Sequence, residues 1–173
     1  TPLHLTQRNC PLASKLVDKG ANLEIQDCRG QTPLFKSIGL PSSSSSKPGD
    51  KKELFHTLID LGARLDTRDS QGRTLLHQCC LDVNRLDYLL GLGLSPNVTD
   101  YQGNTLFHEA AAIKSGSGQL QALQYLSSLG LDIDQPNHQR KTVLHILCAR
   151  ANHDWHTTVE QPLDFVLRLC KNP

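Results

Sequence analysis

Histidines at one recurring position are the first candidates for chemistry. His4, His77, His108 and His145 each stand three residues after a threonine, and such a ladder of imidazoles could bind metal or act as bases. Other candidates are the six cysteines (Cys10, Cys28, Cys79, Cys80, Cys148, Cys170), the pair His153 and His156, and the acids Asp132 and Asp134. No set is complete. The cysteines contain no Cys-x-x-Cys spacing, and two histidines on an expected loop fall short of the four ligands of a structural zinc. Cys28 has no histidine nearby in sequence to activate its thiol, and Asp132 and Asp134 follow a helix stop, where acids read as solvated turn groups. Gly-rich phosphate loops, Gly-x-Ser-x-Gly elbows and His-Glu-x-x-His helices do not occur. The sequence therefore predicts no catalytic, cofactor-binding or metal-binding residue, and no enzyme. An enzyme would have to use Cys28 or the His153 and His156 pair.

Composition narrows the classes further. The 173 residues carry a formal charge of +1, which gives no net-charge reason to expect nucleic acid or anionic membrane. At 38% hydrophobic and 20% charged, the chain can bury a core and form a folded domain. No apolar run approaches the roughly 20 residues that span a bilayer. Six cysteines in a chain this long are too sparse for a disulfide scaffold, so an intracellular location, cytoplasmic or nuclear, is expected.

The elements that carry these residues repeat. Thr1-Pro2-Leu3-His4 returns as Thr32-Pro33-Leu34-Phe35, Thr74-Leu75-Leu76-His77, Thr105-Leu106-Phe107-His108 and Thr142-Val143-Leu144-His145, at spacings of 31, 42, 31 and 37. A turn precedes four of them: Asp27 to Gln31, Asp69 to Arg73, Asp100 to Asn104, and Asn137 to Lys141. The first three place glycine fourth, free to take positive φ, whereas the last places Arg140 there and should be strained or differently shaped. Helix stops follow at Gly20-Ala21, Gly62-Ala63, Gly93-Leu94 and Gly130-Leu131. Pro2 and Pro33 suit a first helical turn, and each preceding threonine can cap it. Each unit thus reads as turn, helix, helix, turn. A single helix pair cannot bury both faces, so neighbouring units must stack.

The pattern resembles the ankyrin repeat family over nearly the whole chain, in five copies. The resemblance implies an all-α solenoid of stacked helix-turn-helix units with short β-type turns along one edge, forming one domain over 1–173. Its repeats would cover approximately 1–24, 25–66 with an insertion at 39–52, 67–97, 98–134 with an insertion at 114–119, and 135–173 with an insertion at 150–161. It also implies a structural histidine that hydrogen-bonds near its threonine and the neighbouring turn. Loss of that histidine as Phe35 fits a packing position. Cys79, Cys80 and Cys148 fall where small residues let helices approach, and are expected to be packed, while Cys28 lies in an exposed turn.

All three insertions fall between the two helices of a unit. The first contains Ser42 to Ser46 flanked by Pro41 and by Lys47-Pro48-Gly49, a linker composition expected to be mobile and dispensable for folding. The third contains Trp155, either a local anchor or a hot spot. Neither end shows a polar capping face, which implies a piece of a longer array or multidomain protein.

The resemblance implies a protein-interaction module or scaffold, binding through the turn tips and the concave face of the first helices. By the family's offsets, the partner-binding residues are Arg29, Gln31, Arg68, Gln71, Arg73, Tyr101, Gln102, Asn104, His138 and Lys141, with Gln26, Cys28, Ser70, Thr99, Pro136 and Gln139 beside them. Arg29, Arg68, Arg73 and Lys141 make that edge basic, which suggests an acidic or polar protein partner, with Tyr101 as its aromatic anchor. No membrane or small-molecule substrate is expected. The alternatives are nucleotide or nucleic-acid recognition through the same basic edge, and a purely structural spacer.

Overall fold

A computed structural model describes residues 1–5, 10–38, 54–113, 116–151 and 160–170, with backbone alone at 116 and 117. The described residues are helical, and their only β pairing is two isolated bridges. The insertion at 39–52 and most of the one at 150–161, with Trp155, His153 and His156, lie outside them.

The chain forms two compact units, Thr1–Gln78 and Cys79–Pro173. In the first, a 3-10 turn over Pro2–Leu5 and α2 (Pro33–Ile38) and α4 (Leu75–Gln78) make one layer, and α1 (Cys10–Asp18) and α3 (Leu54–Asp60) make the other. In the second, α6 (Leu106–Ala112) and α8 (Val143–Ala151) pack on each other, while α7 (Gly116–Ser128) packs on α5 (Val83–Gly91), α6 and α9 (Glu160–Cys170). Leu34, Phe35, Phe55 and Leu58 fill the first core; Leu86, Leu106, Phe107, Leu123 and Leu126 are fully buried in the second. Burial of Phe35 accords with a packing position.

Helices start and stop where the residue types dictate. α2, α4, α6 and α8 each begin directly after the threonine of the tetrapeptide. At the stops, Gly20, Gly62, Gly93 and Gly130 all have positive φ. The Gly20 amide then donates to Val17 O and the Ala21 amide to Leu16 O, occupying carbonyls that the helix end leaves free, and Gly62-Ala63 and Gly93-Leu94 repeat the pattern.

Two expectations need correction. The insertion expected at 114–119 is largely helix, since α7 starts at Gly116. Gln119 is fully buried, its Nε2 donating to Ala110 O and Ala111 O at the end of α6, which draws the segment into the fold. Cys148 is exposed, whereas Cys79 and Cys80 are buried. Ala111, at the position equivalent to Cys148, is covered where α6 packs on both α7 and α8; α8 packs on α6 and α9, and among the described residues no helix lies on its far side as α8 does on that of α6.

Candidate partner-binding edge

Each turn is organised by its first side chain. Asp27 Oδ1 accepts from the amides of Arg29 and Gln31, Asp69 Oδ1 from Gln71 and Arg73, and Asp100 Oδ1 from Gln102 and Asn104. Asn137 Oδ1 does the same for Gln139 and Lys141 without a charge. The turn closes on itself, as when the Asp27 amide donates to Gln31 O and the Gly30 amide to Asp27 O. The turn of the fifth copy, called the fifth turn, keeps this shape, with Asn137 N to Lys141 O and Arg140 N to Asn137 O both at 2.9 Å. Arg140 takes φ +58, the one non-glycine residue at positive φ among those described. Of the two expectations for that turn, strain holds and a different shape does not.

Glycine serves a second purpose at Gly30 and Gly103. A Cβ on Gly30 would lie 2.6 Å from Ser70 N, and one on Gly103 would lie 2.6 Å from the His138 ring and 3.0 Å from its backbone nitrogen. The approach exists because successive turns bond through their backbones, Ser70 N to Arg29 O and His138 N to Gln102 O, both 2.9 Å. Side chains add to these ties: Gln26 Nε2 donates to Arg68 O, and Asn137 Nδ2 to Asn104 Oδ1.

The histidine ladder completes the bracing. His4 Nε2 donates to Gln31 O at 2.8 Å, and His108 Nε2 to Lys141 O at 2.9 Å. A carbonyl only accepts, so the proton sits on Nε2 and Nδ1 is left as acceptor. Nδ1 takes the backbone amide and the hydroxyl of the repeat's threonine, Thr74 with His77 and Thr105 with His108. Both nitrogens of His108 are thus engaged. In the second copy the Thr32 hydroxyl accepts the Phe35 amide instead.

The expected partner-binding residues divide by orientation. Arg29, Arg68, Gln71, Tyr101, Gln102, His138 and Lys141 are exposed, Tyr101 to 66%. Gln31, Arg73 and Asn104 are half-buried. Arg73 turns back onto its own turn, with Nε 3.0 Å and Nη2 2.9 Å from the buried Asp69 carboxylate, and Asn104 Nδ2 donates to Asp100 Oδ2. These fifth-position side chains brace the turn, so Arg73 does not contribute a free cation to the edge. Truncating it should cost stability, contrary to what its place among the tips suggests. Arg68 remains exposed while its Nη1 donates to Gly72 O.

Arg140, which the sequence marks only as a departure from glycine, adds an exposed cation. Its signal was the missing glycine itself. Away from the tips, a groove of about 390 Å³ is lined by Pro96, Val98, Phe107, Leu131 and Asp132 among others, with Asp132 its one charged residue. Among the described residues no three His, Cys, Asp or Glu side chains converge as metal ligands, and no helix is long and apolar enough to cross a membrane. No protein-family model and no curated protein matches this sequence.

Proposed function

We propose that the chain is an ankyrin-repeat module that binds a protein partner through its turn tips, in a binding rather than a catalytic role. The observation that carries this is how the tips are built. Backbone bonds, the opening Asp or Asn and the threonine-bound histidines hold the turns firmly, while Arg29, Gln71, Tyr101 and Lys141 point outward with their side chains unused by the turn framework. Tips fixed before binding lose little conformational freedom on association, and an exposed tyrosine among the polar side chains of its own turn suits an interface.

The experiment is capture of partners from extract on the immobilised full chain, repeated with Tyr101→Ala combined with Gln71→Ala. Both side chains are exposed, so thermal stability should move by less than about 0.5 kcal/mol while capture is lost. Unchanged capture by the double variant would refute the tip reading. Arg73→Ala is unsuitable as a probe, since it strips the buried Asp69 carboxylate of its partner.

A further inference from the structure

The fifth turn differs from the others in two ways that point in one direction. Its opening residue is Asn137, which makes both turn bonds of the usual aspartate but contributes no charge. Its fourth residue is Arg140, held at φ +58 where glycine would sit without strain. The turn therefore presents His138, Arg140 and Lys141, all exposed, with no acid inside it. In the earlier turns the cations have company: Arg73 is paired with Asp69, and Arg29 lies in the turn opened by Asp27. Of the nearest acids before the fifth turn, Asp134 accepts from Cys170 of α9 and Asp132 lines the groove with Pro96 and Phe107. Lys141, by contrast, offers its carbonyl to His108 of α6. Beside this turn stands Tyr101, 66% exposed, in the turn whose Gln102 O receives the His138 amide. Strain retained at an exposed position, with exposed cations in a turn that holds no acid and an exposed aromatic in the adjoining turn, is a pattern expected of a recognition surface.

We propose that His138, Arg140 and Lys141, with Tyr101 of the adjoining turn, form the docking point for an acidic peptide segment of a partner protein; this rests on the tip-binding reading above and locates it. Two exposed cations on a backbone-braced turn suit a short carboxylate-bearing segment. Nucleic-acid footprints typically draw on about six to ten phosphate contacts, and anionic membranes are read by clusters of about four to eight Lys or Arg, so neither matches a turn of this size.

The test is fluorescence anisotropy with a labelled oligoglutamate peptide carrying one leucine, with labelled oligothymidylate and phosphatidylserine vesicles as comparators, on the full chain. The parent should bind the peptide, and Arg140→Gly with Lys141→Gln should weaken it by about tenfold or more. Tyr101→Ala should weaken it several-fold, Arg29→Gln should weaken it less than the double variant does, and Arg168→Gln, at an exposed cation of α9 away from the tips, should stay within about twofold of the parent. Arg140→Gly relieves the positive φ, so the melting temperature of the double variant should be no lower than the parent's, which separates lost binding from lost fold. Peptide binding that survives the double variant, or is lost instead with Arg29→Gln, overturns the location and leaves the tip reading standing. Failure of the parent to bind the peptide, or tighter binding of oligothymidylate or vesicles through the same residues, overturns the assignment to an acidic peptide, while the capture experiment decides the tip reading separately.

Discussion

At the scale of single residues, surroundings separate side chains of one type into different chemistries. Burial first, and the nearby Asp82 carboxylate second, push the Cys79 thiol up to about 12; burial and a hydrogen bond to Asp134 push Cys170 up to about 11. Cys28 and Cys148 are exposed. A thiol reagent applied to the native chain should therefore label Cys28 and Cys148 first, with Cys79 and Cys80 roughly 100-fold slower, because they wait for local opening. Peptide mapping over time reads this directly, and labelling of Cys79 at the Cys28 rate would show that its burial is wrong. Asp27 supplies a second residue-level expectation. Burial pushes its carboxyl up, but the Gln31 and Arg29 amides, with the charges of His4 and Lys36, outweigh this and hold it below the ordinary 3.8. A carboxylate depressed in the folded state stabilises it above the unfolded value and loses that contribution as pH falls through the lower, folded one. Asn137 shows that asparagine makes the same turn bonds. Asp27→Asn should accordingly stay folded and lose helical ellipticity less steeply below about pH 4 than the parent. An identical acid limb would mean that Asp27 does not contribute there.

Among elements, those that a residue type alone decides were legible in the sequence. Helix stops and turns could be read because positive φ is difficult for any residue with a Cβ, so Gly20, Gly62, Gly72 and Gly103 mark them without further context. The start of α7 was not legible: Gly116-Ser117-Gly118 has linker composition, and only the tertiary arrangement shows that it enters a helix whose Gln119 reaches the free carbonyls of α6. Arg73 shows the same limit, since tip spacing does not reveal whether a long side chain points outward or folds back onto its own turn's aspartate. The α6 end also draws a donor from α8, Arg150 Nη1, which bonds Ala111 O and Ile113 O. Gln119→Leu should thus cost about 1–2 kcal/mol, because Ala110 O loses its side-chain donor in a buried site. The loss is held down because Gln119 Oε1, buried without a partner among the described residues, disappears too. Arg150→Met should act in the same direction, and urea midpoints for both variants check this. An unchanged midpoint for Gln119→Leu would mean that water reaches those carbonyls.

At the scale of the whole molecule, the ties between turns described above run between neighbours within each unit, and this determines how damage spreads. Within Thr1–Gln78, the bonds Ser70 N to Arg29 O and His4 Nε2 to Gln31 O link adjacent repeats. Within Cys79–Pro173, His138 N to Gln102 O and His108 Nε2 to Lys141 O do so. In the stacked array proposed above, stability is close to a sum of unit terms and neighbour terms, so a local lesion should be felt most in its own unit. Gly30→Ala and Gly103→Ala are comparable lesions, each forcing a Cβ into positive φ and against the following turn, 2.6 Å from Ser70 N in the first and 3.0 Å from His138 N in the second. Each should cost about 2 kcal/mol, the sum of an unfavourable φ and a displaced turn. Hydrogen exchange followed by mass spectrometry reads the location. Gly30→Ala should speed exchange at the Ser70 amide and around α2 and α3, with a smaller change at His138; Gly103→Ala should speed exchange at the His138 amide and around α6 and α8, with a smaller change at Ser70. Equal acceleration across both units from either substitution would mean that the chain opens as one cooperative body, and that neighbour terms dominate over the units they join.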